Sequence, residues 1–147
     1  MTLEQRINED IKQAMLAKQA ERLAALRAVK AAVLLKKTEG GTHEVTDTDM
    51  VQIMQKLVKQ RKESAKLYSE AGRQELADNE LAEAAYIEEY LPKQLGHDEL
   101  VAALRDIIAQ VGAKSPSDIG KVMGVAVKKL AGLADGKVIS DTVKELL

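Results

Sequence analysis

The chain has 147 residues, 46% hydrophobic and only 2% aromatic, which is enough for one ordinary domain or two small helical ones. It contains no Cys, Phe or Trp, which excludes disulfides and thiolate metal sites and leaves a core of Leu, Ile, Val, Met and Ala, residues typical of helices. The formal net charge of −1 excludes a strongly basic protein, although the basic and acidic residues are segregated along the chain.

The first two helices are predicted from apolar spacing and end signals. Thr2 caps the first helix, with Gln5 closing a capping box. The apolar face of this helix repeats every four residues: Leu3, Ile7, Ile11 and Met15. The second helix is predicted over residues 21–37, with an apolar face that includes Leu34, and the glycines of residues 38–41 end it.

The third helix has the clearest start in the chain. Thr46 is its expected cap, Asp47 and Asp49 favour the positive end of the helix, and Val45 packs onto Met50. This helix is predicted to continue to about residue 72. A fourth, acidic helix follows over residues 74–90.

A domain boundary is predicted at the Tyr-Leu-Pro-Lys-Gln-Leu-Gly string of residues 90–96, because proline disfavours helix at the residue before it. Residues 1–91 are predicted to form an N-terminal bundle of about four helices, and residues 92–96 a linker. A small three-helix domain is expected over residues 97–147, with helices at 98–111, 116–132 and 137–146. Ser115 is the expected cap of the middle helix. The fold class is therefore all-α.

Catalytic and metal-binding patterns are absent from the sequence. Gly120-Lys121 and Gly136-Lys137 lack the neighbours of a phosphate-binding loop, and the histidines His43 and His97 are too few for a zinc site. The carboxylates of the fourth helix, such as Glu83 and Glu88, fit a solvated face better than a catalytic pair. We therefore predict no catalytic residue, no metal and no cofactor.

Two groups of lysines are candidate nucleic-acid contacts. Lys59, Lys62 and Lys66 share one face of the third helix, although pairing with the acidic fourth helix would neutralise them. The second group lies in the C-terminal domain: Lys121, Lys128, Lys129 and Lys137. In the same domain, Gly120 and Gly124 leave one helix face without side chains. Close helix packing is the expected role of these glycines, and a groove for a partner's backbone is the alternative.

Several short sequence segments resemble those of the YqeY family and occur in the same order. Together they extend the resemblance over nearly the whole chain. They begin with Leu-Arg-Ala-Val-Lys-Ala-Ala at 26–32 and the run 60–73, which ends Glu-Ala-Gly-Arg. The two most specific are Glu-Tyr-Leu-Pro-Lys-Gln-Leu at 89–95 and Gly-Lys-Val-Met-Gly at 120–124. The segments 134–137 and 143–147 complete the match.

The family is similar to the C-terminal tail of GatB, a subunit of the glutamine-dependent tRNA amidotransferase. The resemblance implies a helical bundle followed by a three-helix domain, and contact with tRNA without catalysis. The family label, carbon-nitrogen ligase with glutamine as amido-N-donor, would describe the relatives' assembly. Expected partners are tRNA and an amidotransferase or other tRNA-handling protein.

The alternative function is a protein-interaction adaptor without a nucleic-acid role, in which an apolar groove between the two domains receives a partner helix. An enzyme would require distant carboxylates to meet in a cleft. Residues 1–6 lack a secretion signal, and no stretch has the apolar length of a membrane span. A cytoplasmic location without membrane association is therefore expected.

Overall fold

The structure, a computed structural model, describes residues 1–39 and 44–147, and all regular structure in these residues is helical. The predicted all-α class is confirmed. The helices, in chain order, are α1 (Leu3–Leu16), α2 (Ala20–Thr38), α3 (Asp47–Glu70), α4 (Gln74–Glu88), α5 (His97–Val111), α6 (Ile119–Lys129) and α7 (Gly136–Leu146). A 3-10 turn, Pro116–Asp118, precedes α6. The predicted turn at Gly40 and Gly41 and the loop position of His43 lie outside the described residues.

The described residues divide into two compact units, Met1–Leu91 and Pro92–Leu147. The first unit contains α1 to α4, which share one apolar core. The largest fully buried side chains of that core are Ile7, Leu26, Val29, Met50, Met54 and Ile87. Aliphatic and sulfur-containing side chains fill this core, as the composition predicts.

The starts of α1 and α3 are fixed by side-chain caps. The Thr2 hydroxyl accepts the Gln5 N–H, and the Gln5 side chain accepts the Thr2 N–H, which confirms the predicted capping box. Thr46 caps α3 as predicted, and Asp49 closes a second box. The Leu3 N–H also donates to Asp47 Oδ1 at 3.0 Å, so the two helix starts are tied together.

The second unit has a separate core contributed by α5, α6 and α7. Its buried residues are Leu100, Leu104, Ile107, Val122, Ala126, Leu130, Ile139 and Val143. The segment 92–96 was expected to be a linker, but two of its residues form hydrogen bonds with the second unit. The Gln94 side chain donates to the Gly132 carbonyl at 2.7 Å, and the Leu95 N–H donates to the Leu133 carbonyl at 2.8 Å.

Close helix packing at Gly120 and Gly124 is the clearest wrong prediction. Both glycines are exposed, and a Cβ atom built at either position would meet no atom within 4 Å. The reason is that the glycines and the buried residues lie on different sides of the helix. The side of α6 that packs is the one that carries Val122 and Ala126, and Val122 is two residues, or about 200°, from either glycine.

Three smaller predictions also fail. Met15 and Leu34 are each more than half exposed, because Ala14 and Val33 occupy the buried positions one residue earlier. Ser115 makes no capping hydrogen bond to the backbone; its hydroxyl contacts the Ser117 hydroxyl instead. The chain therefore enters α6 through a 3-10 turn.

Candidate nucleic-acid interface

The helix α6 carries three lysines and no acidic residue. Lys121 and Lys128 are both exposed and stand seven residues apart, which places them on one face of the helix. Their Cα atoms are separated by about 10 Å along the axis. Neither forms an ion pair within residues 1–39 and 44–147. This face of α6 therefore presents two cations without a carboxylate bonded to either.

The surface of α6 between these two lysines lacks side chains where glycines occur. Gly124 lies between them in sequence, and Gly120 precedes Lys121 on the same exposed side. Because a Cβ atom built at either glycine would meet no atom within 4 Å, the backbone of α6 is open there to close approach by a ligand. Val127 is the half-exposed apolar residue of this side. We call Gly120, Lys121, Gly124 and Lys128 the α6 face.

The other two lysines predicted in this unit are arranged differently. The Lys129 ammonium donates to Gln110 Oε1 on α5 at 2.7 Å, so this side chain bridges two helices. Lys137 is exposed in the first turn of α7. Lys128 and Lys129 also occupy the last turn of α6, where cations are favoured by the helix dipole. The structure thus brings together Lys121 and Lys128 on one face.

The turn that leads into α6 is held by Asp118. The Lys114 N–H donates to Asp118 Oδ2 at 3.0 Å. This bond lowers the pKa of the Asp118 carboxyl, with smaller contributions from the Ser115 N–H and the nearby charge of Lys121. An ionised Asp118 therefore fixes the backbone just before the α6 face begins.

One of the three predicted lysines of α3, Lys62, is paired with the acidic helix α4. Lys62 Nζ lies 2.9 Å from Glu88 Oε1, and Arg61 Nε lies 3.0 Å from Glu83 Oε2. Lys59 and Lys66 are exposed, and Lys59 also has an interaction partner. Pairing with α4 thus occurs for part of the basic run. The ion pairs also involve Glu83 and Glu88, the two carboxylates considered above as a catalytic pair.

One polar cluster of the first unit escaped the sequence analysis. The buried Tyr90 donates its hydroxyl to Asp10 Oδ2, Arg22 lies 3.9 Å from the same oxygen, and the Arg6 guanidinium lies 4.7 Å from the Tyr90 ring centre. Burial raises the pKa of the Tyr90 phenol, donation to Asp10 raises it further, and Arg22 opposes the rise. Tyr90 belongs to the Glu-Tyr-Leu-Pro string, but nothing in the spacing indicates its partners on α1 and α2.

Across residues 1–39 and 44–147, no group of three or more His, Cys, Asp or Glu side chains is placed to hold a metal ion. Within the same residues, no helix combines the length and apolar character needed to cross a membrane.

Comparison with known proteins gives one result that covers almost the whole chain. No curated protein matches it significantly. The family model described as Yqey-like protein matches residues 4–147. Within the described residues, this match includes every helix from the second residue of α1 to the end of α7, together with the α6 face. The chain therefore belongs to the YqeY family.

Proposed function

We propose that this protein is a non-catalytic accessory module that binds tRNA through the α6 face. The observation that carries the proposal is the pair of exposed lysines, Lys121 and Lys128, on a helix without acidic residues. Lys129 and Lys137 are proposed as flanking contacts. The α3 lysines, Lys59, Lys62 and Lys66, are proposed as secondary contacts, with Lys62 the weakest because Glu88 already neutralises it.

The chemistry of the α6 face suits a phosphate backbone better than a base edge. Lysine ammonium groups contact phosphates as point charges and do not read sequence. The two exposed glycines allow a sugar-phosphate strand to lie close to the helix, because no side chain holds it away. Folded RNA is recognised largely by shape and backbone, so this surface needs no aromatic stacking platform.

The substrate class follows from the resemblance to the GatB tail. We propose tRNA as the nucleic acid, and an amidotransferase or another tRNA-handling protein as the assembly in which the module works. The label of carbon-nitrogen ligase with glutamine as amide donor would then describe that assembly. The chain's own contribution would be to position RNA, and its lysines would act by charge alone.

Charge reversal on the α6 face tests this function. The double variant Lys121→Glu, Lys128→Glu should bind fluorescein-labelled tRNA at least about tenfold more weakly at low ionic strength, because two attractions become repulsions. The matched control Lys12→Glu, Lys93→Glu removes the same charge at exposed positions outside the predicted contacts. Fluorescence anisotropy measures both. Equal weakening in both variants would show non-specific attraction, and no effect of the α6 variant would leave the adaptor as the better account.

A further inference from the structure

One side of α3 in the first unit is bordered by two open grooves. The groove between α2 and α3 has a volume of about 470 Å³, and the groove between α3 and α4 has a volume of about 490 Å³. Gln60 lines both, so the two grooves adjoin at this residue. On α3 the combined lining extends from Asp49 to Leu67, a length of about 27 Å.

This side of α3 carries a stripe with the spacing of a helix-pairing seam. Its residues follow one another at intervals of four and three and line the grooves: Ile53, Leu57, Gln60, Ser64 and Leu67. Ile53 and Leu57 also pack against the core of the unit, whereas Leu67 is 66% exposed. We call these five residues the α3 stripe. A second helix can pack lengthwise along it, with a contact at each turn.

The two halves of the α3 stripe are flanked by opposite charges. Before Gln60 the flanking residues are Lys56 on α3 and Lys36 on α2. After Gln60 they are Glu63 on α3 and Glu80 on α4. None of these four side chains forms an ion pair within residues 1–39 and 44–147. The cations and anions that remain for a partner are therefore separated along the helix.

The other charged residues of the grooves do not change this order. Arg61 Nε lies 3.0 Å from Glu83 Oε2, so these two neutralise each other. Glu39 and Asp49 lie where α2 ends and α3 begins, and the Asp49 carboxylate accepts the Thr46 N–H. The lining has no net positive charge, so a uniformly acidic helix or a phosphate backbone would meet like charge in one half. The matching partner has both charges, in the reverse order.

The α3 stripe itself has that reverse order when it is turned around, because it is almost symmetrical about Gln60. Ile53 lies seven residues before Gln60 and Leu67 seven residues after it. Lys56 lies four residues before it and Glu63 three residues after it. An antiparallel second α3 centred on Gln60 would therefore place Leu67 over Ile53. It would also place Lys56 beside Glu63, within one residue.

We infer that the α3 stripe pairs with the same stripe of a second copy in an antiparallel dimer with twofold symmetry. Such a contact uses one surface twice and closes on itself. Because α2 borders one half of the stripe and α4 the other, the α2 of one copy would lie against the α4 of its partner. Lys36 would then meet Glu80, and the exposed Leu35 and Leu67 would both be covered; Leu35 is 72% exposed in the single chain.

The size of this contact indicates a reversible dimer. A surface of about 27 Å by the width of two helices buries on the order of 1,000 Å² in total, the size of a weak specific interface. We therefore expect a dissociation constant in the micromolar range. The inference is independent of RNA binding by the α6 face, because the α3 stripe lies in the first unit and the α6 face in the second.

A charge exchange in the full-length protein tests the pairing by sedimentation velocity at increasing concentration, without RNA. Lys56→Glu and Glu63→Lys should each weaken the dimer at least about tenfold, because each single change sets like charges together twice. The double variant Lys56→Glu, Glu63→Lys should restore the dissociation constant to within about threefold. Lys12→Glu, a change at an exposed lysine of α1, is the matched control and should have no effect.

A single thiol tests the predicted symmetry axis. The chain contains no Cys, so Gln60→Cys introduces the one reactive thiol of each copy. A short bis-maleimide should link two such copies at least about tenfold faster than two copies of Gln13→Cys, because the thiols at the axis are held together in the dimer. Leu35→Ser and Leu67→Ser should each reduce dimer formation, whereas Leu16→Ser, at a more exposed leucine outside the grooves, should not.

Four results would overturn the inference. The first is a protein that stays monomeric at millimolar concentration. The second is a dimer that either single charge change leaves intact or that the double change fails to restore. The third is equal crosslinking of Gln60→Cys and Gln13→Cys. The fourth is growth beyond the dimer, because a twofold contact closes after two copies.

Discussion

Tyr90 is buried at the end of the first unit's core, where its hydroxyl donates to the Asp10 carboxylate. Removal of this hydroxyl by Tyr90→Phe should lower the free energy of unfolding by about 1 kcal/mol, because Asp10 is partly exposed and water replaces the lost donor. Urea denaturation at neutral pH measures the difference. An unchanged midpoint would mean that the bond adds nothing to stability.

The same residue predicts a pH dependence. Since the folded pKa of Tyr90 lies above its ordinary value of 10.0, the unfolded chain loses this proton first as the pH rises. The stability from Tyr90 is therefore fully present below about pH 10 and falls above it. The wild type should lose more stability than Tyr90→Phe between pH 9 and 11. Parallel pH curves for the two proteins would contradict the raised pKa.

Residue-level signals in the sequence predict local contacts well and distant ones poorly. The caps at Thr2 and Thr46 involve partners three residues away, so their spacing alone is sufficient. The partners of Tyr90, which are Arg6, Asp10 and Arg22, lie far from it in the sequence, and no local rule indicates them. Ser115 shows the intermediate case: its pattern suits a cap, but Asp118 accepts the Lys114 N–H and the backbone turns differently.

At the scale of one element, the two glycines of α6 can be replaced without a clash, because a Cβ atom at either position meets no atom within 4 Å. We therefore expect a side chain at these positions to stabilise the protein. Gly120→Ala and Gly124→Ala should each raise the free energy of unfolding by about 0.5 to 1 kcal/mol, because alanine favours helix and meets no neighbour. Thermal denaturation of the single variants measures this. Destabilisation by either change would place hidden packing at that glycine.

A larger side chain separates stability from function at the same site. Gly124→Leu should fold, since nothing within 4 Å blocks its Cβ, yet it should weaken tRNA binding by holding the strand away from Lys121 and Lys128. Ala102→Leu, which adds a side chain at an exposed position of α5, is the control. Unchanged tRNA affinity in Gly124→Leu would show that RNA does not approach the helix backbone there.

The positions of the helices could be predicted from the sequence. The face that each helix exposes could be predicted only in part. Apolar spacing and end signals placed the helices of the described residues, because each helix must bury one stripe against a neighbour. The stripe of α6 is ambiguous in sequence, since glycine, alanine and valine occupy most of its positions. Lys121 and Lys128 are candidates from the sequence alone, but which side of α6 is exposed depends on the packing against α5 and α7, and that packing required the structure.

For the whole molecule, we propose that the two compact units fold separately. Each has its own apolar core, one in Met1–Leu91 and one in Pro92–Leu147. Fragments 1–91 and 92–147 should both be helical, and their summed circular dichroism should reproduce that of the full chain. The second fragment should melt at the lower temperature, because a unit of this size buries a smaller share of its surface. An unfolded fragment would show that its core depends on the rest of the chain.

The salt dependence of tRNA affinity tests the central claim most directly. If Lys121, Lys128, Lys129 and Lys137 each neutralise one phosphate, released counterions should make the affinity fall about 50- to 150-fold between about 50 and 200 mM KCl. The variant Lys121→Ala, Lys128→Ala should bind more weakly and lose about half of the slope of this dependence. A flat salt response of the wild type, or no tRNA binding at 50 mM KCl, would contradict the proposed RNA-binding role.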